Sequence, residues 1–207
     1  AYLADMRVNI EAKMAGSPLT WYRYLLSSED RAVVLKNTFD RLYFGNRTFA
    51  ELADRQSRGV SPVLIAAGTD MDTGAKFLFT TLPRSAFEVQ PERMAGRAME
   101  TLTESGISLG ADVFNIVTPE DVGLSVMDME VSLAAAASSS VPLLLGPVVL
   151  HDNKESTPES DAYLHISDGG VNDNQGLFSL VQLLHKKAER EGKKFAGALV
   201  LVVDANP

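Results

Sequence analysis

The stretch PVLIAAGTDMDTGAKFLFT, residues 62–80, decides how this chain folds, because it holds two apolar segments joined by a short polar turn. Residues 62–67 form an unbroken apolar run, which is typical of a strand buried on both faces of a sheet. Residues 70–74 have the composition of a tight turn, and after them Phe77 and Phe79 alternate with other residues as in a strand. The stretch therefore predicts a β-hairpin inside a covered sheet.

Helical patterns lie on both sides of this hairpin. Apolar residues recur at helical spacing or follow a helix start signal over residues 1–15, 28–44, 48–55, 94–105 and 175–190. In the third of these helices Thr48 is followed three residues later by Glu51, as in a capping box. The last helix is amphipathic, with its leucines on one stripe.

Two further strands complete the predicted secondary structure. Residues 162–166 form a short strand with Tyr163 and Ile166, and the apolar run from Phe195 to Asp204 is the strongest buried strand of the chain. Helices that bracket such strands indicate a layered α/β fold. With 207 residues, 45% of them hydrophobic, the chain can bury one core, so residues 1–207 are expected to form a single α/β domain.

Residues 131–150 contain no charged side chain and could be mistaken for a membrane span. Pro142 and Pro147 would interrupt a spanning helix twice. A buried helix of small residues followed by an extended strand is therefore the preferred interpretation.

Composition excludes several classes of function. The net charge of −8 and the absence of a Lys or Arg stripe argue against nucleic acid as a partner. Without cysteine there is no disulfide, thiolate nucleophile or cysteine metal site. The three histidines, His151, His165 and His185, do not have the spacing of metal ligands, and His165 and His185 are interpreted as structural. No metal and no cofactor are expected.

Asp168 is the best candidate for chemistry. It follows a short apolar run in the sequence ISDGGVNDN, residues 166–174, and two glycines come directly after it. Gly169 and Gly170 let the backbone approach another group closely, so the carboxylate could face a crevice as a general base or a metal ligand. The alternative is an ordinary turn in which the side chain accepts a backbone hydrogen bond.

Three other motifs have simpler explanations. Residues 106–110 match the nucleophile elbow G-x-S-x-G, but a polar helix precedes Ser108 where an elbow needs a buried strand. The spacing of Asp70, Asp72 and Gly74 resembles the start of a calcium loop, yet the loop's glutamate is absent, which predicts a turn. Residues 138–140 are three serines without a useful histidine or lysine, so their hydroxyls are expected to bond backbone carbonyls.

Taken in order, three segments resemble the successive signatures of patatin-like phospholipases. They are TDMDTG at 69–74, LAAAASSSVP at 133–142 with Pro147-Val148, and DGGVNDN at 168–174, and the similarity covers about residues 48–184. The resemblance implies a three-layer α/β sandwich with a mostly parallel, mixed central sheet, incomplete at its N-terminal side. It also implies a Ser-Asp dyad that hydrolyses acyl esters of lipids, with Asp168 as the dyad aspartate and Gly169, Gly170, Asp70 and Gly74 as supporting residues.

The chain departs from this family in one respect. The oxyanion loop and the nucleophile elbow precede the first signature in the family, and nothing in residues 1–47 supplies them; Ser17, followed by Pro18, is the nearest approach. The chain is therefore expected to be the C-terminal portion of a hydrolase domain that contributes the aspartate but not the serine. Its partners would be a lipid or ester substrate, a peripheral membrane surface and the N-terminal portion of the same domain.

Two other functions remain open. One is a noncatalytic α/β binding or scaffold module that retains the fold. The other is a Ser-His-Asp hydrolase that uses Ser108 with His151 or His165. For an acyl hydrolase, Leu143, Leu144, Leu145 and Val171 are candidate lining of the acyl pocket.

Overall fold

The computed structural model describes residues 31–88, 115–141, 146–154, 163–173 and 176–202. Several predictions fall outside these ranges: the helices over 1–15 and 94–105, the serines Ser17 and Ser108, the leucines Leu143, Leu144 and Leu145, and Asn174.

Four α-helices and five strands form the described fold. The helices are α1 (Arg31–Phe39), which continues into a π-helical turn (Asp40–Phe44), α2 (Phe49–Ser57), α3 (Val131–Ser138) and α4 (Leu177–Glu191). The strands are β1 (Ile65–Asp70), β2 (Lys76–Thr80), β3 (Ile116–Val117), β4 (Val148–His151) and β5 (Tyr163–Asp168). This combination is an α/β fold.

The strands form one mixed sheet in the order β3-β2-β1-β5-β4. β1 is antiparallel to both of its neighbours, β4 is antiparallel to β5, and β2 and β3 are parallel. The expectation of a mostly parallel sheet is therefore wrong for the described strands. The short turn after Asp70 is the reason for the first antiparallel pair, since only antiparallel strands can be joined by so short a connection.

The predicted hairpin is confirmed, with a shift at its start. β1 begins at Ile65, and Pro62 and Val63 before it are exposed. Proline has no N–H to give to a sheet, so Pro62 cannot donate to the ladder. In β2 all five residues are buried, including the charged Lys76.

The main core lies between one face of the sheet and helices α1, α2 and α3. Phe49, Phe77, Phe79 and Ile166 are completely buried there, together with the alanines of α3. The predicted helix of small residues followed by a strand is confirmed, since α3 is followed by β4. The small alanine side chains let α3 pack against the sheet. Among the helices that the structure describes, none combines the length and the apolar composition that a bilayer crossing needs.

The predicted capping signal of α2 is also confirmed. The Thr48 side chain accepts a hydrogen bond from the Glu51 backbone N–H at 3.4 Å, and the helix begins at the next residue, Phe49. This local contact satisfies one of the N–H groups that a helix start leaves free.

A smaller core covers the opposite face of the sheet, where Leu78, Phe87 and Ile116 are buried and Leu183 of α4 packs against them. The prediction that α4 is a helix is confirmed. Its two fully buried side chains are nevertheless polar, Ser179 and Gln182, and no apolar residue of α4 is fully buried.

The prediction of a buried strand from Phe195 to Asp204 is wrong over its described part. Residues 195–202 belong to no strand, and Leu199 and Leu201 are 97% and 85% exposed. Apolar composition predicts a strand only where a sheet edge is available to pair with it, and in the described residues no such pairing exists.

Candidate functional site

Asp168 is the last residue of β5, and its carboxylate caps the 3₁₀ turn Gly169–Val171. The oxygen Oδ1 accepts a hydrogen bond from the Gly170 backbone N–H at 2.7 Å. The turn interpretation considered from the sequence is therefore correct for one carboxylate oxygen. The side chain is partly exposed, and within the described residues nothing hydrogen-bonds to Oδ2 or forms a salt bridge with Asp168.

The backbone of Asp168 is held from two sides. Its N–H donates to the Ser140 carbonyl at 3.0 Å, just after the end of α3, and its own carbonyl accepts from the Thr69 hydroxyl of β1 at 3.0 Å. The neighbouring Ser167 hydroxyl, itself buried, also donates to the Ser140 carbonyl at 2.6 Å. These bonds fix the strand end, so the position of the carboxylate is determined by β1 and α3 as well as by its own turn.

Gly169 is required by space. A Cβ atom at this position would lie 2.6 Å from the Ala67 carbonyl oxygen and 3.0 Å from the Ala67 carbonyl carbon. Because both contacts are with backbone of the neighbouring strand, any side chain would push the Asp168 turn away from β1.

The turn at residues 70–74 is built from its own side chains. Asp70 is buried; its Oδ1 accepts from the Asp72 N–H at 3.1 Å and its Oδ2 from the Thr73 hydroxyl at 2.5 Å. The turn prediction is therefore confirmed, because both carboxylate oxygens of Asp70 accept hydrogen bonds from within the turn.

The three segments that carry the resemblance meet at Asp168. The 70–74 turn is tied to the segment after Asp168 by the Asn172 side-chain amide, which donates to the Gly74 carbonyl at 2.7 Å. The end of the alanine helix is tied to it through the Ser140 carbonyl. Residues nearly 100 positions apart thus form one unit around a single carboxylate.

The serines after α3 have the predicted structural role. The Ser139 hydroxyl donates to the Ala135 carbonyl at 2.6 Å, and the Ser140 hydroxyl donates to the Ala136 carbonyl at 2.6 Å. Both hydroxyls therefore compact the helix end. Ser140 contributes to the site through its backbone carbonyl.

The structure does not bring His151 or His165 to Asp168. His165 pairs with Asp72 at 3.0 Å, and His151 contacts Asn153 at 2.8 Å and the Tyr163 ring at 5.1 Å between ring centres. Neither histidine hydrogen-bonds to Asp168 among the described contacts, so the arrangement offers no support for a Ser-His-Asp site at this aspartate.

A cavity of about 330 Å³ lies on the other face of the sheet, between the start of β1 and the first turn of α4. Its lining residues are Val63, Leu64, Ile65, Ala67, Gly176, Ser179 and Leu180. Asp168 shares a sheet face with Ile166, while Ala67 belongs to the opposite face, so this cavity does not open onto the carboxylate.

Sequence reasoning missed a buried ion pair next to the Asp168 turn. Lys76 is completely buried, and its Nζ lies 3.4 Å from Asp173 Oδ2 and 3.2 Å from Gln182 Oε1. Asp173 in turn accepts hydrogen bonds from the backbone N–H groups of Phe178 and Ser179 and from the Ser179 hydroxyl. This cluster fastens α4 and the end of the Asp168 turn to β2.

One sequence signal could have identified Asp173. An aspartate a few residues before an amphipathic helix is a helix-start signal, and Asp173 precedes Leu177, the first residue of α4. Lys76 has no comparable signal, because a lysine at the start of a strand is usually exposed.

Burial lowers the pKa of Lys76 below 10.5, and the nearby Asp173 carboxylate only partly opposes this effect. Between the lowered folded-state pKa and 10.5 the unfolded chain binds more protons than the folded chain, so the free energy of unfolding should rise with pH through this range. Lys76→Met lacks this titration. We expect the wild type to gain stability relative to the variant as the pH approaches 10.5, measured by urea unfolding at several alkaline pH values. If the difference in free energy of unfolding between the two proteins stays constant or shrinks as the pH rises, the lowered pKa of Lys76 is refuted.

Comparisons with known proteins do not identify a family for this chain. No family model matches the chain, and neither a curated protein nor a solved structure matches it significantly. The similarity to patatin-like phospholipases therefore depends on the three motifs and on nothing else.

Proposed function

We propose that this chain is part of a lipid acyl hydrolase in which Asp168 is the general base of a Ser-Asp dyad. The observation that supports the proposal is the meeting of all three motif segments around one carboxylate, which keeps an oxygen without a described partner. In the proposal the serine belongs to a polypeptide region outside residues 1–207.

The Asp168 carboxylate can act as the general base without a histidine. In the first step Asp168 takes the proton of the serine hydroxyl while the serine oxygen attacks the ester carbonyl; the proton then passes to the leaving alcohol as the acyl-enzyme forms. In the second step the same carboxylate takes a proton from water, whose oxygen attacks the acyl carbon and releases the fatty acid. The serine recovers its proton, so the dyad returns to its starting state.

The hydrogen bond from Gly170 has a specific use in this mechanism. It holds Oδ1 of Asp168 on the backbone side of the turn, so that Oδ2 is the oxygen left for the serine. A base whose orientation is fixed before the substrate arrives loses less conformational entropy in the transition state. The donors that stabilise the oxyanion must point at the ester carbonyl that the serine attacks. They would therefore come from the region that carries the serine.

The substrate class follows from the resemblance and is part of the proposal. It is an ester of a fatty acid, presented as a lipid at a peripheral membrane surface or as a soluble ester. The chemistry at Asp168 requires no metal or cofactor.

A fluorophosphonate probe tests the assignment of the serine, because it forms a covalent adduct with activated serines. We expect no adduct on the 207-residue chain alone, and one adduct at a serine outside these residues in the longest natural polypeptide that contains the chain. Ser108→Ala should leave that labelling unchanged. Labelling of Ser17 or Ser108 would contradict the proposal, and absence of both labelling and ester hydrolysis in the longer polypeptide would favour a noncatalytic module.

A further inference from the structure

Asp173 joins the buried Lys76 to the turn of residues 168–173. Its carboxylate lies 3.4 Å from Lys76 Nζ, and its backbone N–H donates to the Gly169 carbonyl at 2.7 Å. Gly169 directly follows Asp168, whose Oδ1 accepts a hydrogen bond from the Gly170 N–H in the same turn. A continuous series of contacts therefore connects a buried ammonium group of β2 with the carboxylate at the end of β5.

Lys76 provides the contact of the Asp173 side chain with the sheet. The carboxylate also accepts hydrogen bonds from the Phe178 N–H, the Ser179 N–H and the Ser179 hydroxyl, and all of these donors belong to α4. They hold Asp173 to the helix, whereas Lys76 is the first residue of β2. Among the described contacts of this carboxylate, the ion pair is thus the one that fixes its position relative to the sheet.

The residue before Asp173 is attached to the same end of β2. The Asn172 side-chain amide donates to the carbonyl of Gly74, two residues before Lys76. Two consecutive side chains of the turn are therefore held by residues 74–76. Attachment at two points restricts both the distance of the turn from β2 and its rotation.

Stability alone does not account for a charge at this place. Removing an ammonium group and a carboxylate from water costs free energy that their attraction only partly returns, and apolar residues of similar volume are often at least as stable. Apolar contacts are non-directional, whereas hydrogen bonds between charged groups have a preferred geometry. The Lys76 ammonium has partners on several sides, because Gln182 Oε1 lies 3.2 Å from it and the Phe178 ring centre lies 5.9 Å from it. The cluster is therefore suited to fix geometry.

We propose that Lys76 is a positioning residue for Asp168: through Asp173 it holds the turn of residues 168–173 so that Asp168 Oδ2 faces the incoming serine. This inference rests on the proposed function, since the orientation matters for catalysis only if Asp168 is the general base. Lys76 takes no part in the proton transfer itself, because it is completely buried and none of its described contacts is with Asp168. Its loss should act on kcat, since a displacement of about 1 Å at a reacting group can slow a reaction about a hundredfold.

Amide hydrogen exchange in the 207-residue chain tests the positioning without any need for activity. In Lys76→Met the Gly170 and Asp173 N–H groups should exchange at least about tenfold faster, because the turn opens locally once Asp173 is no longer held to the sheet. Leu183→Ala is the matched control, since it removes apolar contacts between α4 and the smaller core but leaves the ion pair. It should lower the free energy of unfolding without changing local exchange at these two groups. Wild-type exchange rates in Lys76→Met would overturn the proposal.

A double variant, Lys76→Met/Asp173→Asn, covers the case in which Lys76→Met folds poorly. It removes both charges from the buried site, while the asparagine oxygen can still accept from the N–H groups at the start of α4. Exchange of the Gly170 N–H should again be at least about tenfold faster than in the wild type. An unchanged rate at Gly170 in this folded variant would equally overturn the proposal.

Kinetics of the longest natural polypeptide that contains the chain test the consequence for catalysis, at a temperature at which every variant is folded. Lys76→Met should lower kcat about ten- to a hundredfold and leave KM within about twofold, whereas Leu183→Ala should change neither. If Asp168→Asn lowers hydrolysis but Lys76→Met does not, the positioning role is overturned and the proposed function stands. If Asp168→Asn leaves hydrolysis unchanged, the proposed function is overturned and with it the catalytic role of Lys76, while faster exchange at Gly170 would still support the hold of the ion pair on the turn.

Discussion

Asp168→Asn is expected to reduce ester hydrolysis about 10³- to 10⁴-fold while leaving the fold intact. The asparagine side-chain oxygen can still accept the hydrogen bond from the Gly170 N–H, so the turn at the end of β5 is retained. The amide cannot take a proton from the serine, however, and the base is lost. The predicted effect is therefore on kcat, with a free energy of unfolding within about 0.5 kcal/mol of the wild type.

The measurement requires the natural polypeptide that contains both this chain and the reactive serine. Rates on a short-chain and a long-chain ester should fall together, since the base acts on both. Asp54→Asn is the matched control: Asp54 is an exposed acidic residue of α2 that pairs with Arg58 outside the three motif segments, and its loss should leave kcat unchanged. Activity of Asp168→Asn near the wild-type level would exclude Asp168 as the base.

Asp173→Ala is expected to destabilise the fold by about 3–5 kcal/mol. The substitution leaves the Lys76 ammonium completely buried without its carboxylate partner. It also removes the acceptor for the Phe178 and Ser179 backbone N–H groups at the start of α4. Both losses lower the free energy of unfolding, because a buried charge and buried N–H groups each need a partner.

Lys76→Met provides the comparison. It removes the charge from the buried site but keeps an unbranched side chain of similar size, and Asp173 retains its three donors from α4. Replacing one member of a buried pair with an apolar residue should therefore cost less when the remaining carboxylate is still hydrogen-bonded. Urea unfolding of both variants tests this order. Equal losses, or a larger loss for Lys76→Met, would show that the capping bonds of Asp173 matter less than its ion pair.

The features predicted correctly from the sequence have causes that lie within a few residues. Thr48 and Glu51 define the start of α2, and the turn at residues 70–74 is formed by the side chains of Asp70 and Thr73. The alanines of α3 predicted a closely packed helix. In each case the groups that form the contact are neighbours in the chain, so their spacing alone indicates the structure.

The candidate site could be predicted only in part. The sequence placed Asp168 at a strand end on a glycine turn, and the structure has it there. Thr69, which bonds the Asp168 carbonyl, lies 99 positions away, and the pairing of β1 with β5 had no local signal. The catalytic role of Asp168 stays a prediction, since the geometry is compatible with it and none of the comparisons bears on it.

Within the described residues, the sequence by itself determined where α1 to α4 and the turn at residues 70–74 form, because capping, turn chemistry and residue size act over short distances. Only the tertiary structure decided which side chains are buried. Lys76 can be buried because Asp173 and Gln182, which are distant in the sequence, contact its ammonium group. The most apolar run, at 195–202, stays exposed because no described strand pairs with it. Burial depends on the surfaces that the assembled elements offer, and a hydrophobic pattern cannot specify those surfaces.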